Sequence, residues 1–138
     1  MAFEIPPHAD DHVVESKATF RRDTLLLNLF PHMHYRGKSF RFEAFYPDGT
    51  QEVLLDVPNY DFNWQLRYDY AEPKFLPKGT KVICTGHFDN SADNPRNPNP
   101  DEKVTFGLQS WEEMMVGYYT TVPAVDDVAQ KDADNDDD

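Results

Sequence analysis

Cysteine is nearly absent from this chain. Cys84 is the single one among 138 residues, so neither an intramolecular disulfide framework nor a cysteine-based zinc finger can form. Long apolar runs are missing too, which leaves no segment able to cross a bilayer as a helix. Basic residues are in deficit: 13 Lys and Arg stand against 25 Asp and Glu, for a formal net charge of −12. That balance argues against nucleic acid as a partner, since phosphates call for a cationic surplus. The start, Met1-Ala2-Phe3-Glu4, lacks the basic-then-apolar pattern of a signal peptide. Its abruptness favours a domain cut from a longer protein over a cytosolic one. No stretch keeps a 3.6-residue hydrophobic period, so helices are not expected.

Aromatic residues are plentiful, at 14% of a chain that is 39% hydrophobic. This is enough to build one folded domain with a real core. Short apolar stretches alternate with turn signals throughout. Thr24 to Phe30 reads as a buried strand, and Phe40, Phe42 and Ala44 alternate onto one face of the next. Pro47-Asp48-Gly49-Thr50 is a hairpin turn leading into Gln51–Val57. Asn59 to Tyr68 would, as a strand, bury Tyr60, Phe62, Trp64 and Leu66 together. Lys81 to Phe88 and Trp111 to Thr120 complete the strands, with Cys84 on the parity of Val82 and away from His87. The pattern predicts an all-β fold, an antiparallel β-sandwich of jelly-roll type in a single domain. We place an extended arm at residues 1–17, the sandwich at 18–122 and an acidic, disordered tail at 123–138. Oxygen ligands in the loop 89–100 invite calcium, but EF-hand spacing is missing, and Asx turns with proline explain that composition.

The chemistry gathers at Pro31-His32-Met33-His34-Tyr35-Arg36-Gly37-Lys38. Two histidines one residue apart on a strand share a face and can chelate a metal with little rearrangement. Downstream lie a third histidine, His87, and two thioethers, Met114 and Met115. Imidazole joined by soft sulfur is a donor set suited to copper. On a strand only one of the two methionines can face the histidines, and the sequence alone leaves open which. His8 and His12, in the arm, are read as exposed side chains.

The order His32-Met33-His34-Tyr35-Arg36-Gly37-Lys38, then Cys84-Thr85, then Glu113-Met114 resembles the C-terminal domain of the copper type II, ascorbate-dependent monooxygenases. Peptidylglycine α-hydroxylating monooxygenase and dopamine β-monooxygenase are the familiar members, and the likeness covers roughly residues 20–120. It implies a jelly-roll β-sandwich holding one mononuclear copper, on which dioxygen is activated, with His32, His34 and Met114 as ligands. It also implies ascorbate as reductant, Tyr118 as a substrate-binding hydroxyl, an extracytoplasmic location and a second, N-terminal copper domain as electron donor. His87 has no counterpart among those ligands and is a candidate fourth one, while Trp64 is a candidate wall for a small-molecule substrate. Several positions depart from the family. Phe30 and Val116 stand where peptidylglycine hydroxylases carry an arginine and an asparagine that hold the peptide, which disfavours a carboxylate-terminated substrate. Met115 stands where the family has a half-cystine bonded to the equivalent of Cys84. Two further readings remain in view: a non-enzymatic copper carrier or sensor using the same residues, and a metal-free interaction module.

Overall fold

In the computed structural model, which describes residues 2–124, every regular element is a strand. In chain order these are β1 (Glu4–Ile5), β2 (His12–Thr19), β3 (Thr24–Met33), β4 (Gly37–Phe45), β5 (Gln51–Val57), β6 (Tyr68–Leu76), β7 (Lys81–Phe88), β8 (Val104–Thr105) and β9 (Met115–Pro123). Two antiparallel sheets dominate, ordered β2-β7-β4-β5 and β6-β3-β9, with β1-β8 as a small annex. Leu26, Leu29 and Met33 of β3 share one buried cluster with Phe40 and Phe42 of β4 and Val82, Cys84 and Phe88 of β7. The two sheets thus face each other across a common core, and the protein is an antiparallel sandwich.

Alternation explains most of this packing. Phe40, Phe42 and Ala44 are at most 1% exposed, the face that their spacing predicts. The Asp48-Gly49 turn closes the β4–β5 hairpin with Gly49 at φ 90°, a conformation that an L side chain rarely adopts. Val82 and Cys84 point inward and His87 outward, in line with their parity.

Three segments depart from the sequence reading. From His12 onward the supposed arm is a strand, β2, paired with β7 along its whole length. None of its residues is fully buried, because it is an edge strand with one wet face, and a hydrophobicity pattern registers that poorly. The aromatic stretch 59–67 is a loop rather than a strand. Asp61 there caps a turn by accepting the Asn63 main-chain N–H at 2.9 Å, and an Asx turn competes with extension. Finally, Trp111 to Met114 precedes β9 instead of belonging to it. Of the acidic tail, residues 125–138 lie outside the described residues.

Candidate metal centre

A bulge decides which way the histidines face. On β3 the pairing with β9 shifts between Leu26 and Asn28, so Leu27 is an extra residue that resets the alternation. Before it Leu26 is buried, after it Leu29 and Met33 are. Without that extra residue, His32 would share the inward parity of Leu26. With it, His32 turns to the outer face of the three-stranded sheet, and Met33 fills the core. His34 lies one residue past the strand, where the Gly37 N–H closes a turn on its carbonyl at 3.1 Å. Gly37 is required there, because a Cβ would lie 2.7 Å from the Tyr60 ring and 2.8 Å from Met33 Cβ.

The two imidazoles lie together, ring centroids 5.2 Å apart and nearly perpendicular. Each is held by its Nδ1. His32 Nδ1 is 2.7 Å from Gln65 Oε1, and the Gln65 amide is oriented by its own N–H, which donates to the Phe62 carbonyl at 2.9 Å. His34 Nδ1 is 3.1 Å from the Glu112 carbonyl. Both partners accept, which favours a proton on each Nδ1; the Gln109 main chain is a second hydrogen-bonding neighbour of the His34 ring. Holding a ligand histidine through its far nitrogen is the usual way a protein fixes ring orientation around a metal. Burial also lowers the His34 pKa below its ordinary value, favouring the neutral ring.

The methionines separate by parity. Met33 pairs with Met115 across β3–β9, and Met115 shares its inward face. A Cβ placed on Gly86 of the opposite sheet would lie 2.5 Å from the Met115 sulfur. Met115 is therefore core filler, occupying the space that a glycine leaves. Met114, next in the chain, is 8% exposed and stands outside the core cluster. The β3–β9 register carried one residue past Met33–Met115 sets it opposite His34.

A buried carboxylate joins these parts. Glu113, with no exposed surface, accepts the His34 N–H on Oε1 and the Arg36 N–H on Oε2, each at 2.9 Å. Burial pushes its pKa up to about 7, against the opposing pull of those donors and of the Arg36 charge. Arg36 is itself fully buried. Its Nε donates to Asn90 Oδ1 at 2.9 Å and its Nη1 to the Trp111 carbonyl at 2.7 Å. Nη2 has no hydrogen-bond partner among the described residues and has Glu102 at 3.8 Å. Asn90 extends the network by donating to the carbonyls of Pro6 and Glu102, so the polar loop after β7 braces the turn that carries His34. Within that loop, Asn94, Asn97 and Asn99 each accept a main-chain N–H two residues on, the serial Asx turns that its composition suggests.

The remaining candidates divide. Tyr118 comes to the site: its ring is 6.3 Å from His32 and 6.0 Å from Phe30, and these three line an open groove of about 440 Å³. Trp64 does not form the expected wall. It is 73% exposed on the loop, and Phe62 instead sets its ring 6.0 Å from His34. His87 does not approach the pair either. It lies on the outer face of the four-stranded sheet, opposite Ser39 and Val13, with Nδ1 2.8 Å from Asp11, so the thickness of the sandwich separates it from His32. His8 meets Asp101 at 2.7 Å. Gln65, Arg36 and Glu113 went unrecognised as supports in the sequence, because partners 33 to 79 residues apart leave no local pattern.

The fold and site thus define an antiparallel β-sandwich with a braced histidine pair, His32 half-buried on the outer face and His34 buried. No family model matches this chain, and no curated protein matches it.

Proposed function

We propose that this domain binds one copper ion through His32, His34 and Met114, as the dioxygen-activating half of a monooxygenase-like protein that hydroxylates a C–H bond. The observation that carries the reading is the pair of imidazoles 5.2 Å apart, each held through Nδ1, with Met114 one residue beyond the Met33–Met115 pair. Two neutral imidazoles and a thioether fit copper better than they fit zinc or magnesium. When bound, the ion would supply one-electron redox chemistry toward dioxygen.

The chain's own residues do the rest. Gln65 and the Glu112 carbonyl hold the rings in one tautomer, so binding requires no reorientation. Glu113 fixes the His34 turn beside the residue it precedes in the chain. Met115, directed into the core, stays out of the donor set. The jelly-roll connectivity, an ascorbate-derived reductant, a partner domain that supplies the second electron and an extracytoplasmic setting belong to the same proposal, carried by the likeness of the motifs. The burial of His34 and Met114, 4% and 8% exposed, favours a second reading, a carrier that shields Cu(I).

Anaerobic equilibrium dialysis with Cu(I) tests the site. One ion per chain is expected, with its loss in His32→Ala. An unchanged stoichiometry in that variant removes the proposal. Ascorbate-driven oxygen uptake above that of free copper, measured with an added electron donor, then separates oxygenase from carrier.

A further inference from the structure

The two main sheets end in four outer strands, β2, β5, β6 and β9, and only β9 is unguarded. Glu15 and Lys17 stand on β2, Glu52 and Asp56 on β5, and Glu72, Pro73 and Lys74 on β6. Charges and proline of this kind keep a sheet edge from pairing with another chain. β9, Met115–Pro123, carries no charged residue in a protein of net charge −12. Tyr118, Tyr119 and Val122 are each at least 40% exposed, so the edge is open on both faces. At its end, the Ala124 N–H donates to the Asp23 carbonyl at 3.2 Å. Alternation from that bond turns the main chain of the even-numbered residues of β9 toward β3, and that of Met115, Gly117, Tyr119 and Thr121 outward. Pro31 and Pro123, which have no N–H to give, both fall at positions turned away from the β3–β9 ladder, as this alternation requires. The outward groups have no main-chain partner among the described residues.

We infer that β9 pairs antiparallel with β9 of a second copy of this chain, in the register that sets Tyr119 opposite Tyr119. Tyr119 is the central residue of Met115–Pro123, so this register alone pairs the strand over its whole length. Gly117 then exchanges main-chain bonds with Thr121 of the second copy, and Tyr119 with its own equivalent. The pairing is two-fold, as a surface that is its own complement demands, and it turns two three-stranded sheets into one continuous sheet. Charge picks the direction. An acidic run follows β9 in the sequence, from Asp126 onward. Parallel strands would start both runs side by side. Antiparallel strands start them at opposite ends, roughly 27 Å apart and beyond the Debye length at physiological salt. Charge also favours a second copy over a basic or acidic strand, because an edge without charge offers neither one an ion pair. Nothing in this pairing rests on the copper reading.

Sedimentation equilibrium and native-state hydrogen exchange on the full chain test this. A monomer–dimer equilibrium with a Kd below about 1 mM is expected. As dimer forms with rising concentration, the amides of Gly117, Tyr119 and Thr121 should slow in exchange. Those of Tyr118 and Thr120, already turned to β3, should not change. Tyr119→Glu and Tyr119→Lys each set like charges face to face across the two-fold axis and should weaken the dimer at least about tenfold. Mixed in equal amounts, the two variants should dimerise again, because opposite charges then meet at that position. Circular dichroism checks that both variants are folded, and the exchange pattern of the native chain needs no variant at all. A chain still monomeric at about 1 mM leaves the edge to some other strand and overturns the inference. So does a dimer that leaves those three amides unprotected, a dimer that both substitutions leave intact, or a mixture of folded variants that stays monomeric.

Discussion

The main-chain N–H of His34 donates to the buried carboxylate of Glu113 at 2.9 Å, a bond that spans 79 residues of chain. The same carboxylate takes the Arg36 N–H at 2.9 Å, and the Arg36 guanidinium lies 3.9 Å away. One side chain therefore closes the β3–β4 turn onto the segment that enters β9. Removing one partner from a buried charge pair typically costs about 3–5 kcal/mol, because the other is left uncompensated. Glu113→Ala should lower unfolding stability by about that much in urea denaturation. Glu113→Gln keeps one accepting oxygen but turns an N–H₂ toward an N–H donor, so it should lose a smaller amount. A midpoint unchanged in both variants would mean that the carboxylate does not hold the turn.

Met114 and Met115 should respond oppositely to the same substitution. Met115 fills core space against Gly86, and replacing it by Leu is nearly volume-conserving, so less than about 1.5 kcal/mol is expected. Met115→Leu should leave Cu(I) binding intact. Met114→Leu removes the proposed sulfur donor and should weaken Cu(I) binding while costing less than about 1.5 kcal/mol of unfolding stability in urea. Competition against a chromogenic Cu(I) chelator reads both, and the reverse ranking would reassign the ligand.

Much of the sandwich was legible because turn chemistry marks it. Gln51–Val57 and Lys81–Phe88 appear with the same bounds in sequence and structure, each following a glycine at φ 90°, Gly49 and Gly79. The inward set Phe40, Phe42, Ala44, Val82 and Cys84 followed from period-two alternation. Single residues that disturb that period leave no such mark. The extra residue at Leu27 lies hidden inside an unbroken run of leucines, yet it turns His32 from the core to the outer face. Asp61 diverts the aromatic stretch into a loop, which leaves Trp64 in solvent. The polar bracing by Gln65, Arg36, Asn90 and Glu113 had no signature, since each contact depends on loops brought together only by the finished fold.

Cys84 should behave as an inert thiol. Burial pushes its pKa from 9.0 up to about 11, so at pH 8 about one molecule in a thousand carries the reactive thiolate. Reaction with a disulfide reagent should be slow in the native state and fast in urea. The same shift has a consequence for stability. Between pH 9 and 11 the unfolded chain has released this proton while the folded one retains it, so stability should fall with rising pH across that window. Cys84→Ala should flatten this part of the profile, and rapid native-state labelling would contradict the burial.

His87 offers a control for the copper assignment. It lies on the opposite outer face, engaged with Asp11 at 2.8 Å, so His87→Ala should leave Cu(I) stoichiometry and affinity unchanged in the chelator competition. A tenfold loss would mean that this histidine reaches the ion after all.

Gln65 carries the sharpest expectation for the site, because it touches His32 without being a donor itself. Its Oε1 lies 2.7 Å from His32 Nδ1, and its amide is pinned by the Phe62 carbonyl. Gln65→Leu removes the acceptor while keeping similar bulk, so His32 would be free to rotate and to shift its proton onto Nε2, which blocks coordination. Loss of such a support commonly weakens metal binding by about 10–100-fold, and the same range is expected for Cu(I) here. Gln65→Glu keeps an acceptor in place and should retain binding, and the contrast between the two variants separates orientation from simple packing. In proton NMR of the metal-free chain, the His32 Nδ1–H signal should be protected from exchange in the native protein and in Gln65→Glu but vanish in Gln65→Leu. A protected signal in Gln65→Leu would show that the ring is held by something other than this amide.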